Sequence, residues 1–379
     1  MMRVLFVTQP GDGHLNPLVP VARALIDGGH EVRFATSGPF VADVERRGFD
    51  AVAVGPDFRW DAALDTWPEG ANNMGAASMA FWSAMVERDV TPLFTADVMS
   101  LVATYEPDLL LGEYATFATM TTVKELTRKP LVMTAWATEP GSTGFFPDGY
   151  WEGLDRVRSG HGLAPLSGSL PIDHWITFTP PAWGLAQVEP QTSTLRARLP
   201  SMRTGAWTAP DGPGPFVYGT VGTVYNTRRR LATFIDAIGL GGWFGLVTVG
   251  TNMDPDDFAA APSVSVDRFV PQADVLEHAD VMLCHGGLGS VLGAIQTATP
   301  MVIVPLGADQ LVNAEIAQQL GIAKIVDPAA AGPEELRDAI SGVLASAAHR
   351  SACAALRDEA MSMAGIDHIV ESLVATTRR

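Results

Sequence analysis

The sequence predicts an α/β protein of two parallel-sheet domains, each Rossmann-like, facing one another across a cleft. Three observations carry this. Short apolar runs alternate with helical patterns; the alternation restarts after a stretch crowded with Pro and Gly; and 379 residues suit two cores better than one. On this reading residues 1–204 form an N-terminal domain, 205–215 a linker and 216–362 a C-terminal domain. The terminal segment 363–379 is expected to be a helix packing back on the N-terminal domain.

The first domain opens with the apolar run Val4 to Val7, a Gly/Pro-rich turn, and a helical pattern from Pro17 with Leu18, Val21, Ala22 and Leu25 on one face. Gly28-Gly29 stops that helix and Val32 to Ala35 resumes as strand, which makes a βαβ unit. Further strands are expected at Ala51–Val54, Leu109–Leu111 and Leu131–Met133, with a helix from Phe117 to Leu126 between the last two. The second domain repeats the grammar. Its strands are expected at Phe216–Tyr218, Phe244–Val249, Val264–Val266, Val281–Cys284, Met301–Val304 and Ala323–Ile325, with helices at Leu231–Ile238, Ser290–Thr297 and Asn313–Leu320. Strands alternating with helices imply parallel sheets covered on both faces.

Two stretches, Phe58 to Trp82 and Trp136 to Trp183, read as irregular and aromatic. Seven of the nine tryptophans lie before the linker, which allows either ordinary loop packing or an acceptor pocket with aromatic walls. The pocket reading takes Trp60, Trp67, Phe81, Trp82, Trp136 and Phe145 as its lining.

Composition narrows the function. The chain is 47% hydrophobic and 18% charged, with no apolar segment long enough to cross a bilayer, so a soluble protein is expected. Val4 to Val7 is too short for a leader, since Gln9-Pro10-Gly11-Asp12 ends it. A net charge of −17 argues against nucleic acid and anionic membranes as partners, both of which need a basic patch. Cys284 and Cys353 have neither metal-like nor disulfide-framework spacing, and a reducing cytoplasm fits. Lysine stands only at Lys124, Lys129 and Lys324 among many Arg, Ala and Gly, which reflects high-GC coding rather than function.

Ligands of open parallel sheets sit beyond the carboxyl ends of the strands. After the strand ending at Tyr218, the loop Gly219-Thr220-Val221-Gly222-Thr223 offers backbone amides and hydroxyls to a phosphate, although such loops also make plain turns. Cys284-His285-Gly286-Gly287-Leu288-Gly289-Ser290 is stronger. There a strand ends, glycines let the backbone approach a ligand, and a helix starting at Gly289 or Ser290 points its positive end at an anion. His285 can donate to a phosphate oxygen, and alone would read as a structural histidine. Asp309-Gln310 can bind vicinal hydroxyls through a carboxylate and a two-way amide. Gln272, after Pro271, can hold a ribose or base edge while Phe269 or Val270 covers the base.

In order and spacing these motifs resemble the donor-binding half of the GT-B glycosyltransferases, and among them the family that takes nucleotide-activated sugars to small lipophilic acceptors. The similarity runs from about Phe216 to the end. It implies that Thr223, His285 and Ser290 hold the diphosphate, with Gly222, Gly287 and Gly289 in the same loops, Gln272 the nucleoside, and Asp309 with Gln310 the sugar hydroxyls. Plant members usually carry Trp where Phe269 stands.

At the other end of the chemistry, Gly11-Asp12-Gly13-His14 follows the first strand. It is not the dinucleotide fingerprint, because the third glycine is missing and no acidic residue ends the second strand. Glycosyl transfer to a hydroxyl needs a base, and imidazole has a suitable pKa, so His14 is the candidate. The resemblance places an acidic residue, usually Asp, just after the strand that here reads Leu109 to Gly112. This chain has Glu113, whose longer side chain must fold back to orient His14.

The expected activity is that of a metal-independent, inverting glycosyltransferase of hexosyltransferase type. It moves a deoxysugar from a nucleoside diphosphate, dTDP by resemblance to bacterial antibiotic-tailoring members, to a hydroxyl of a lipophilic natural product such as a polyketide. No cofactor is expected beyond the nucleotide sugar as co-substrate, and no metal, since Asp254-Pro255-Asp256-Asp257 reads as turn and helix cap. Self-association as a homodimer stays open. Two alternatives share the architecture: a sugar-nucleotide 2-epimerase and a non-catalytic sugar-nucleotide-binding partner protein.

Overall fold

Parallel strands covered on both faces must be apolar almost throughout, and the central strands of both sheets show it. In the computed structural model the described residues are 1–59, 91–135, 148–166, 170–184, 193–209, 212, 214–222, 226–250 and 252–378. Among them the chain divides into two units, one of residues 1–178, 186–199 and 364–379, the other of 179–185 and 200–363.

The first unit is built on β1 (Arg3–Val7), β2 (Glu31–Thr36), β3 (Asp50–Ala53), β4 (Leu109–Glu113), β5 (Leu131–Thr134), β6 (His174–Thr177) and β7 (Ser193–Arg196). These lie in the order β3-β2-β1-β4-β5-β6-β7, all parallel. Its helices are α1 (Asp12–Leu15), α2 (Val19–Asp27), α3 (Val41–Glu45), α4 (Thr91–Tyr105), α5 (Phe117–Thr127) and α6 (Asp148–Gly160). Leu18, Val21, Ala22 and Leu25 of the predicted face are indeed buried, and Gly28 and Gly29 end α2.

The second unit carries β8 (Phe216–Thr220), β9 (Phe244–Thr248), β10 (Val264–Asp267), β11 (Val281–Cys284), β12 (Met301–Ile303) and β13 (Ala323–Ile325) in the order β10-β9-β8-β11-β12-β13, again all parallel. Around it lie α7 (Arg228–Leu240), α8 (Gln272–Leu276), α9 (Leu288–Thr297), α10 (Gln310–Gln319), α11 (Pro333–Ala345) and α12 (Ala347–Ser362). The chain closes with α13 (Ile366–Thr376), which packs on α2 and β7 of the first unit, burying Ile369 and Leu373.

The stretch from Trp136 to Trp183, expected to be irregular, contains α6, β6 and part of the route to β7. The aromatics there include packing residues: Trp175 on β6 is buried against Phe117 and Tyr114, and Trp183 is buried in the second unit. Leu154 and Val157 turn α6 onto the core. The six residues expected to line an acceptor pocket, Trp60, Trp67, Phe81, Trp82, Trp136 and Phe145, lie outside the described residues.

The segment leading into β8 is fastened by one side chain. Asp274 on α8 accepts hydrogen bonds from the Thr204 amide and hydroxyl (2.9 and 2.6 Å) and from the amides of Gly205 and Ala206 (3.1 and 3.2 Å). The Thr204 hydroxyl chiefly, helped by these amides, holds the Asp274 carboxyl down at about 2.

In each sheet the strand order reverses once, between β1 and β4 and between β8 and β11. Such switch points open a crevice at the carboxyl ends, and the candidate residues gather there.

Candidate active site

At the first switch point, Gly11 in extended conformation starts the single turn α1, and the Gly11 carbonyl accepts from the amides of His14 and Leu15 at 3.1 and 3.0 Å. His14 therefore sits in a helical turn rather than on an open loop. Leu15 anchors the turn in the core while the His14 side chain stays 15% exposed. On the outer side, Arg47 pairs with Asp12 at 2.5 Å and reaches Asn16.

Glu113 is the last residue of β4, one step earlier in the strand than expected. The pairing of Val7 with Gly112 sets it level with the start of the β1–α1 loop. Its carboxylate is fully buried, which would cost several kcal/mol if left uncompensated. Compensation is local: Oε1 accepts from the Gln9 amide (3.1 Å), Oε2 from the Ala115 amide (2.7 Å), and Oε2 lies 3.3 Å from His14 Nδ1. The Glu113 amide and carbonyl are both engaged by the Thr116 hydroxyl, closing a capping box around the turn after β4. One carboxylate thus caps its own turn, fixes the neighbouring loop and faces the imidazole. The extra methylene of Glu lets it span from β4 across to Gln9.

At the second switch point the loops after β8 and β11 meet around His285. A Cβ at Gly222 or at Gly287 would stand 2.7 or 2.6 Å from His285 Nε2, so glycine on both loops is what admits the ring. Gly286 has φ +86°, a left-handed conformation that favours glycine. Enclosure of the His285 imidazole lowers its pKa to about 4, against the opposing pull of the Thr220 carbonyl, so the ring is neutral at physiological pH. Burial also pushes the neighbouring Cys284 thiol up to about 12, which makes it a packing group.

The helix α9 starts at Leu288, one or two residues earlier than predicted, with Gly287 as its cap. Its first amides precede any intrahelical acceptor, and among the described residues nothing outside its own helix turn lies within 4 Å of where a Cβ of Gly289 would stand. That leaves an open approach to a helix N-terminus, a place suited to an anion. Ser290 is buried and its hydroxyl donates to Gln272 Oε1 at 3.3 Å, while Gln272 Nε2 lies over Gly293, whose Cβ would be 2.8 Å away. Gln272 and Ser290 are thus brought together by the packing of α8 on α9. Beside them Phe269 is 70% exposed and Val270 is buried, so Phe269 is the side chain available to a base. Thr223 lies outside the described residues, as do its two followers.

Asp309 and Gln310 open α10. Gln310 is buried and its Oε1 accepts from the Leu306 and Gly307 amides (2.7 and 3.1 Å), which spends the carbonyl on the bend after β12. The two-way amide expected there is left with its donor end. Asp309 Oδ2 accepts from Asn313 Nδ2 at 2.8 Å, and the same nitrogen reaches the Gly286 carbonyl at 2.9 Å. Sequence reasoning passed over Asn313. Its only signal was the four-residue spacing from Asp309, which stacks the two on one helix face.

Asp254 caps a short turn at Pro255–Asp257 by accepting from the Asp256 amide, and pairs with Arg268 at 3.7 Å. The turn-and-cap reading of this acidic run holds. Among the described residues no group of three or more His, Cys, Asp or Glu is placed to hold a metal ion, and no helix is long and apolar enough to cross a membrane.

Residues 246–376 match the C-terminal domain of the erythromycin biosynthesis protein CIII-like family. Over nearly the whole chain the protein is similar to 4'-demethylrebeccamycin synthase of Lentzea aerocolonigenes, with 26% identity covering 94% of this chain and 95% of that one. It is likewise similar to the 3-alpha-mycarosylerythronolide B desosaminyl transferase of Saccharopolyspora erythraea, with 25% identity covering 100% and 99%. Among solved structures, the glycosyltransferase VinC superposes with a TM-score of 0.78 at 25% identity, covering 100% of both chains. Fold and similarity together define a glycosyltransferase of GT-B fold. More narrowly, the chain is a glycosyltransferase of natural-product biosynthesis, similar along its length to antibiotic-tailoring enzymes.

Proposed function

We propose that this protein transfers a deoxysugar from a dTDP donor to a hydroxyl of a lipophilic natural product such as a polyketide, with inversion at the anomeric carbon. The observation that carries the reading is the pair of switch points. One holds an imidazole against a buried carboxylate, and the other a neutral imidazole and an open helix N-terminus among glycines. The donor nucleotide is supported by the VinC structure, which is a complex with dTDP, and the sugar and acceptor class by the relative named for desosaminyl transfer to an erythronolide.

Phe269 covers the base, Gln272 holds the nucleoside, and the loops of Gly222 and Gly287 with Ser290 and His285 receive the diphosphate. His285 acts there as a neutral hydrogen-bond donor. Asp309 accepts from sugar hydroxyls and Gln310 donates to them. His14 keeps Nδ1 toward Glu113, so Nε2 takes the proton of the acceptor hydroxyl as that oxygen attacks the anomeric carbon. The bond from that carbon to the β-phosphate oxygen breaks, and the nucleoside diphosphate leaves with the electron pair. Glu113 compensates the positive charge that His14 gains. The leaving charge is met by amides and His285, with no metal in the step.

The test is turnover of purified protein with a dTDP-deoxysugar and a panel of lipophilic aglycones. His14→Ala is expected to lose about 100- to 10,000-fold in kcat while calorimetric affinity for dTDP stays unchanged. Near-normal transfer by the variant defeats the base assignment, and a wild type that binds no dTDP defeats the donor assignment.

A further inference from the structure

We propose that Asn313 is a positioning residue that fixes the Asp309 carboxylate relative to the glycine loop after β11, so that the site prefers a sugar still joined to its diphosphate over the nucleoside diphosphate alone. The inference rests on the donor reading above. Asn313 is fully buried on α10, one turn beyond Asp309. Its amide has two N–H bonds, and the two acceptors at 2.9 and 2.8 Å, the Gly286 carbonyl and Asp309 Oδ2, use both. The orientation is determined, since a reversed amide would set its oxygen against two acceptors.

Each end of this bridge is itself held. Gly286 packs where a Cβ would meet Ile303 at 2.7 Å and the Gln310 carbonyl at 3.2 Å, and the Gln310 side chain clamps the bend that carries Asp309. The anion loop and the sugar carboxylate, which come from different strands, therefore form one rigid piece through a single side chain. Asn313 Oδ1, in contrast, is buried and has no hydrogen-bond partner among the described residues. A buried carbonyl without a partner costs stability, so what the amide contributes lies at its donor end, on the Gly286 carbonyl and Asp309.

A carboxylate held in place meets sugar hydroxyls without first losing rotameric freedom, and that gain is available only to a ligand carrying the sugar. The experiment compares calorimetric affinity for a dTDP-sugar and for dTDP in wild type and in Asn313→Ala, which removes both donors without adding a charge beside Asp309. The dTDP-sugar is expected to weaken about tenfold or more while dTDP changes by less than about threefold, with the donor KM rising ahead of any change in kcat. Should the Ala variant not fold, Asn313→Ser, which keeps one small donor, serves the same comparison. Equal weakening of both ligands, or of neither, overturns the proposal and assigns Asn313 to packing. A wild type that binds neither ligand overturns the donor reading, and this inference with it.

Discussion

His14 and His285 stand at the switch points of two sheets of one design, but on strands that do not correspond: His14 follows β1, whereas His285 follows β11, the counterpart of β4, and their surroundings differ sharply. His14 stands 3.3 Å from a carboxylate held by the Gln9 and Ala115 amides, and it keeps some exposure. His285 meets glycines and the Thr220 carbonyl among the described residues, in a closed surrounding that lowers its pKa to about 4. The first setting suits an imidazole that must accept a proton and carry its charge; the second suits one that must donate a hydrogen bond while neutral. The same side chain at two switch points is told apart by its neighbours, and these include residues remote in sequence, Glu113 for His14 and Gly222 for His285.

The comparison breaks most sharply at Glu113. Glu113→Gln leaves one acceptor oxygen where two backbone amides and an imidazole converge, so kcat should fall about 100-fold or more, and stability by about 1–3 kcal/mol, with dTDP affinity retained. Steady-state rates and thermal melts check both, and an unchanged kcat would remove the distinction between the two histidines. A smaller effect is expected on the other side. Gly287 has φ −61°, which alanine adopts freely, so Gly287→Ala perturbs only by its Cβ against His285 Nε2 at 2.6 Å. Overpacking of about 1–3 kcal/mol and a loss of about tenfold in dTDP affinity should follow, measured by calorimetry.

The most gradual effect is the pH dependence. His285 titrates near 6.5 when unfolded and at about 4 when folded, so its contribution is fully present above pH 6.5. As pH falls from 6.5 towards 4 the unfolded chain binds a proton that the fold resists, and stability declines with a slope approaching about 1.4 kcal/mol per pH unit. Denaturant titrations of wild type and His285→Gln across that window should differ in slope. Parallel curves would mean that His285 is solvated like an ordinary histidine.

The sheets were readable because a strand buried on both faces is a continuous apolar word, as in Val281 to Cys284 or Val4 to Val7. The edge of the first sheet was not. His174-Trp175-Ile176-Thr177 and Ser193-Thr194-Leu195-Arg196 are short and half polar, and an edge strand shares its pattern with an aromatic loop. In the site, the loop chemistry around His14 and His285 was legible from strand ends and glycines. The state of the residues was not, because Glu113 meets Gln9 through sheet register and Asn313 meets Gly286 through helix packing. Neither relation has a trace in local sequence. The commitment of the Gln310 carbonyl to its own bend is invisible for the same reason.

The return of α13 to the first unit bears on how this enzyme can be re-engineered. Arg198 donates to the Ala364 carbonyl at 2.8 Å, and His174 contacts Thr376 at 2.7 Å, so the last segment is bonded into the sheet edge near β6 and β7. A chimera that exchanges second units by a single crossover near residue 200 would import a foreign tail against a native α2. The unit to exchange whole is therefore residues 200–363, with 179–185 following it and 364–379 left in place.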